Sequence, residues 1–270
     1  MPPGAVALIV FAGVLGLVFG SFADAVAYRE PRGISLLQES RCDGCGTPVR
    51  WYRNVPVLSW LLLRGRCAEC RAAIGWHAPL VEAGTGIAFA GLTWAALARP
   101  TVGLASWWLE LAAQLILVVV SAMLVRIDLE FRRLPNVIVL PSILIISILL
   151  AAAAFVSGTP DRLWRMFLAG AALFAFYTVI RLISPRGMGG GDVKLAALIG
   201  LGLGYIGWGS VLVGAFAAFL TGGLYGIVLL ALRRATRRTA VPFGPWMIVG
   251  GWLGMIAGEQ LWALYIGASA

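Results

Sequence analysis

Asp192 closes a run of three glycines in "RGMGGGDVKLAALIG", with an apolar stretch behind it, in a chain that has only 12 acidic residues. Asp128 stands in a comparable place in "VRIDLEFRRLPN", where an apolar stretch gives way to basic residues and a proline. An ionisable group at bilayer depth costs roughly 2.5 to 3.5 kcal/mol on insertion scales, so a carboxylate kept there points to chemistry or transport. Two carboxylates at one site can divide the work of an acid and a base, one holding a proton while the other activates water, as in aspartic proteolysis. Simpler readings stand beside this one. Asp128 can be an interfacial charge paired with Arg126 or Arg132, and Asp192 can be the N-cap of the helix "VKLAALIG". The glycine run favours chemistry, because a cap needs no such run and the close approach of an extended backbone does. Pro135 and Pro185 take both segments out of regular helix near the carboxylates, and irregular backbone at membrane depth is tolerated only where it lines a cavity.

The remaining carboxylates in or at the ends of apolar stretches are Asp24, Glu82, Glu110 and Glu259. A serine mechanism lacks support, since the chain has no G-x-S-x-G and a single histidine, His77, whose place before an apolar stretch fits an interfacial or capping role. "GLGYIG", residues 202–207, matches G-x-G-x-x-G. No strand precedes it, and packing of membrane helices through small residues explains it better than a dinucleotide site.

All four cysteines fall in one segment, as two C-x-x-C pairs: Cys42 with Cys45, and Cys67 with Cys70. Two such turns can complete the tetrahedral thiolate shell that zinc accepts, and four sulfur ligands leave no open position, so the metal would be structural. Gly44 and Gly46 fit the left-handed or closely approached backbone of such a knuckle. The competing reading is a pair of disulfides or a redox dithiol; a reducing compartment and the lack of a βαβ pattern weigh against it.

The elements that must position these residues follow from composition. Of the 270 residues 60% are hydrophobic and 12% charged, which describes a polytopic membrane protein. Stretches long enough to cross a ~30 Å hydrocarbon core recur at about 5–27, 78–98, 107–126, 136–156, 163–183, 193–206, 208–232 and 243–266. The expected fold is all-α, with about eight transmembrane helices and a small zinc-binding cytoplasmic domain between the first two. Residues 1–27 are expected to form the first helix, 28–77 the zinc-binding domain and 78–270 the remaining membrane-embedded helices, the part that carries both Asp128 and Asp192. Residues 1–23 carry no charged side chain, so the first stretch reads as a retained helix rather than a signal peptide. With eight spans, 18 of the 21 Lys and Arg residues fall in alternate loops, and only Arg99, Arg162 and Arg165 fall in the others. That bias places the loop of residues 28–77, and the ends carrying Asp128 and Asp192, in the cytoplasm. Topology and anionic lipid account for the net charge of +9 without nucleic acid.

Taken in order, these segments resemble the type IV prepilin peptidases, membrane aspartic proteases of the G-x-G-D type. "GSFADAVAYREP" looks like the family's first-helix exit, and the C-x-x-C pairs match its cytoplasmic domain. "APLVEAGTG" matches its second helix, "IDLEFRRLPN" and "GMGGGDVKLAALIG" its two aspartates, and "VPFGPWMIVGG" its last helix. Asp24 departs from the asparagine usual there. The resemblance implies a multi-pass enzyme of the bacterial cytoplasmic membrane that removes leader peptides from prepilins or pseudopilins at the cytoplasmic face. It implies Asp128 and Asp192 as the catalytic pair, with Gly189, Gly191 and Lys194 where a substrate backbone approaches. It also implies N-methylation of the new amino terminus from S-adenosylmethionine. A different class of function, a zinc-stabilised scaffold or a transporter binding ions at the carboxylates, stays open at this level; transporters usually show internal repeats and midplane sites.

Overall fold

The computed structural model describes residues 3–98, 103–185, 187–233 and 242–267. The chain forms α1 (Pro3–Arg29), α2 (Leu58–Leu62), α3 (His77–Leu97), α4 (Leu104–Phe131), α5 (Asn136–Val156), α6 (Pro160–Ile183), α7 (Gly190–Ile206), α8 (Trp208–Ala231) and α9 (Gly244–Tyr265). Among the described residues there is no β-strand, only isolated bridges between Arg41 and Pro48 and between Arg66 and Ala73.

Seven of the described helices, all but α2 and α7, are long and apolar enough to cross a membrane. Their outward faces carry large apolar side chains, among them Ile87, Phe155 and Leu264, as expected where the surrounding solvent is lipid. The sixth expected span, 193–206, is α7, which has 17 residues and begins at Gly190 rather than near 193. At 1.5 Å per residue it reaches about 25 Å. Ten of its residues are buried, so it is a core helix packed by its neighbours. Of the basic residues that set the expected orientation, Arg99, Arg186, Arg234, Arg237 and Arg238 lie outside the described residues.

The fold divides into two units. The first comprises the described residues of 1–100 with 114–126, and its core is the pair α1 and α3. Small residues allow that pairing: a β-carbon on Gly16 would lie 2.8 Å from the Gly86 α-carbon, and one on Gly20 would lie 2.7 Å from the Glu82 α-carbon.

The second unit comprises the described residues of 101–113 with those from 127 onward. Its helices pair as α6 with α7 and α8 with α9. The G-x-G-x-x-G stretch serves packing: Gly204 lies against Ala169 and the Arg165 carbonyl of α6, leaving no room for a side chain. Arg165 closes the C-terminus of α7, its guanidinium donating to the carbonyls of Gly204 at 2.7 Å, Tyr205 at 3.0 Å and Ile206 at 2.9 Å. These are carbonyls that a helix end leaves without internal partners. Tyr205 donates its hydroxyl to Glu110 at 2.7 Å, and Arg162 donates to the same carboxylate at 3.1 Å. Glu259 accepts the Ser210 backbone N–H at the start of α8 at 2.8 Å. Glu110 and Glu259 therefore fasten helix ends, and α7 is held firmly at the end opposite Asp192.

Candidate active site

Asp128 lies in the last turn of α4 and is 4% exposed. The helix stops three residues later because Arg132 takes a left-handed conformation, φ 53°, and donates its N–H back to the Asp128 carbonyl at 2.9 Å. The chain then runs through Leu134 and Pro135 into α5. The Asp128 side chain meets another helix start: its Oδ2 accepts the backbone N–H of Gly244, the first residue of α9, at 3.1 Å. Free N–H groups and the partial positive charge of a helix N-terminus stabilise a carboxylate there. A β-carbon on Gly244 would stand 2.7 Å from that oxygen, so glycine is what permits the contact. This partner was missed in the sequence; the Gly-Pro step at the start of an apolar stretch was its only local sign.

Asp192 is the third residue of α7 and not its cap. Gly189 occupies the cap position with extended backbone, and its N–H donates to Asp192 Oδ2 at 2.9 Å, the side-chain half of a capping box. None of Gly189, Gly190 and Gly191 has positive φ, so the run serves close approach. At Gly191 the approaching group belongs to the chain itself: a β-carbon there would lie 2.7 Å from the Leu134 β-carbon. At Gly190 it would meet the end of the Arg181 guanidinium at 2.8 Å, and at Gly189 the nearest atom is Asp192 Oδ2, at 3.3 Å. Gly189 is exposed and leaves the approach to Asp192 open.

The structure brings the two aspartates together. Buried Leu134 packs against Gly191 beside Asp192, and its Cδ1 lies 3.5 Å from where a Gly244 β-carbon would stand, beside Asp128. Asp192 lies within electrostatic range of Asp128 and of the buried Tyr177 of α6. Tyr177 stacks on Phe219 with ring centroids 5.6 Å apart, and Phe243 closes on Phe219 at 5.3 Å, giving the site an aromatic wall. Lys194 donates its ammonium to Asn136 Oδ1 at 2.7 Å, bridging the starts of α7 and α5. Arg126 points to Asp24, Nε to Oδ1 at 3.4 Å, and His77 Nδ1 lies 3.5 Å from the same oxygen. Two residues apart on a helix, Arg126 and Asp128 point about 200° apart.

The cysteines form a second site, in the first unit. All four Sγ atoms lie within 4.8 Å of one another, with Cys42 and Cys70 3.7 Å apart. A tetrahedral zinc shell with Zn–S near 2.3 Å has sulfur–sulfur edges of about 3.8 Å, so the set fits such an ion, and the thiols are free rather than disulfide-bonded. The two knuckles match: Gly46 N–H bonds the Cys42 carbonyl at 2.8 Å and Arg71 N–H the Cys67 carbonyl at 3.1 Å. Gly46 and Arg71 both take left-handed backbone, φ 70° and 60°. Gly44 has the close-approach role, since a β-carbon there would lie 2.9 Å from that of Ala72. Backbone N–H groups of Cys70 and Glu69 push the Cys67 thiol down to about 6, which favours the thiolate that metals bind.

A helical multi-pass membrane protein with two carboxylates at facing helix ends and a four-cysteine knuckle pair is the class that the fold and sites define. The model of the Bacterial Peptidase A24 N-terminal domain matches residues 14–96, and that of the Type IV leader peptidase family matches residues 115–227. A prepilin leader peptidase/N-methyltransferase of Stutzerimonas stutzeri is 30% identical, covering 96% of this chain and 94% of its own. Proteins of the same description from Pseudomonas putida, at 32% identity, and Neisseria gonorrhoeae, at 31%, cover 94% and 93% of this chain and 92% and 91% of theirs. No solved structure matches. The chain belongs to the type IV leader peptidase family.

Proposed function

We propose that the protein is an aspartic endopeptidase that removes leader peptides from type IV prepilins or pseudopilins, with Asp128 and Asp192 as its catalytic pair. The observation that carries this reading is the convergence on Leu134: one side chain packs beside both Asp128 and Asp192, which are 64 positions apart in the sequence. In the reaction one carboxylate takes a proton from the attacking water while the carboxyl of the other donates its proton to the scissile carbonyl oxygen; as the intermediate collapses, the first passes its proton to the leaving amine and the second recovers its own. Exposed Gly189 gives an extended substrate backbone its way to Asp192, with Gly191 and Lys194 setting the floor beneath it.

The excess of basic residues in alternate loops supports a site facing the cytoplasm, in a bacterial cytoplasmic membrane. Residues 28–77 act as the metal-stabilised domain, with zinc in a structural role at Cys42, Cys45, Cys67 and Cys70, and residues 78–270 as the peptidase part. The relatives' shared description supports a second activity, N-methylation of the new amino terminus from S-adenosylmethionine; no residue is assigned to hold that donor. Incubating the purified protein with a synthetic leader-bearing peptide and methyl donor, followed by mass spectrometry, tests both activities. A peptide left whole overturns the peptidase reading. A peptide cut but never methylated overturns the second activity alone.

A further inference from the structure

The segment joining α1 to α3 contains more than the metal knuckles. α2 places Leu58, Leu61 and Leu62 at i, i+3 and i+4, hence on one face, and that face is open: the three are 52%, 58% and 74% exposed. The opposite face is occupied. Trp60 donates its indole N–H to the Ile74 carbonyl at 3.2 Å and packs against Gly65, and Ser59 accepts the Val55 N–H at 2.9 Å. The leucines therefore do not complete a core within the first unit.

The depth of α2 is fixed by Glu82. This buried carboxylate accepts the N–H of Val57, directly before α2, at 2.7 Å, and Val57 holds a left-sided backbone, φ 60°, to make the turn. Glu82 is the sixth residue of α3, about 7.5 Å along the helix axis from its start. Tied to that level, the start of α2 lies beside a membrane-spanning helix rather than above it. Exposed Arg64, Arg66 and Arg71 follow α2 in the chain, and Trp51 and Trp76 are 83% and 69% exposed. Apolar residues on one face, with cations and indoles beside them, are what an interfacial helix presents to lipid.

We infer that α2 is a membrane-interfacial helix, its Leu58, Leu61 and Leu62 set among the acyl chains of an anionic leaflet and Arg64, Arg66 and Arg71 at the lipid phosphates. The knuckle segment is thereby held flat against the bilayer, not suspended as a free soluble domain, and the charge complementarity selects anionic lipid over a protein partner.

The test uses the full chain in lipid nanodiscs with the photoreactive residue benzoylphenylalanine at Leu61 or Leu62, and at Leu37 as an exposed control. Leu37 is 96% exposed and lies outside α2. On irradiation, phospholipid adducts at both α2 positions should exceed those at Leu37 by several fold, and Arg64→Gln should lower them in phosphatidylglycerol but not in phosphatidylcholine discs. Zinc content equal to that of the unsubstituted protein confirms that each variant keeps its knuckles. Lipid adducts no more frequent than at Leu37 overturn the inference, as does a dominant cross-link to a second copy of the chain or to added substrate peptide.

Discussion

Gly191 and Leu134 fill one another's space: a β-carbon on Gly191 would lie 2.7 Å from the Leu134 β-carbon and 3.3 Å from its carbonyl oxygen. Because the opposing atoms sit on backbone and Cβ rather than at a flexible tip, the strain of a side chain there must move the α4–α5 turn, and Asp128 and Asp192 with it. Gly191→Ala should lower turnover of a leader peptide at least tenfold at matched membrane abundance. Gly190→Ala should cost much less, since the Arg181 guanidinium it meets can swing away. Leu195→Val, one turn on and fully buried, should cost about 1 kcal/mol of stability with little loss of turnover. Leu134→Ala in the Gly191→Ala background should restore part of the activity. Equal activity for the alanine variants at positions 190 and 191 would refute this account of the glycine run.

Asp128→Asn and Asp192→Asn should each abolish cleavage, with losses of at least about 10²-fold, the lower range for a positioned acid or base. Both proteins should still fold and insert, because an amide oxygen can accept the N–H of Gly244 or Gly189 as the carboxylate does. Cleavage assays paired with thermal melts in detergent check this. Normal processing by either variant removes that aspartate from the catalytic pair.

Lys194 and Asn136 should behave as one unit. Lys194→Met and Asn136→Leu each break the 2.7 Å bond, and in a double-mutant cycle on stability the pair should show coupling of about 1 kcal/mol. Asn136→Asp should retain activity, since it exchanges a neutral acceptor for a charged one. Full additivity of the two single substitutions would show that the contact carries nothing.

Metal content should follow the thiolates. Cys42→Ser with Cys45→Ser should release the ion and leave residues 28–77 open to proteolysis, because metal binding to so small a site is a large part of its folding free energy. The ligands are thiolates, so protons compete with the metal for all four sulfurs. Bound zinc, measured by elemental analysis after buffer exchange, should persist at pH 7 and be released on sufficient acidification. A purified wild-type protein without metal at pH 7 would contradict the assignment.

Much of this molecule is written locally. Apolar length marked the spanning helices, the spacing of Cys42, Cys45, Cys67 and Cys70 marked the knuckles, and the change from apolar to basic at Asp128 and from glycine to apolar at Asp192 marked the two helix ends. Each signal lies within one continuous stretch of chain, because helix length, knuckle turns and membrane boundaries are properties of single segments. What brings these ends together is not local. Gly244 meets Asp128 across 116 positions, Leu134 fills the space that Gly191 leaves, and Arg126, two residues from Asp128, turns to Asp24. The start of α7 at Gly190, which makes Asp192 its third residue, depends on a carboxylate accepting the N–H of Gly189, a geometry that composition does not rank above an ordinary cap. The placement of α2 likewise rests on one bond between Val57 and Glu82. The sequence determined which residues were available at each helix end; tertiary packing decided which of them face one another, because helix rotation and axial offset are set by contacts between segments far apart in the chain.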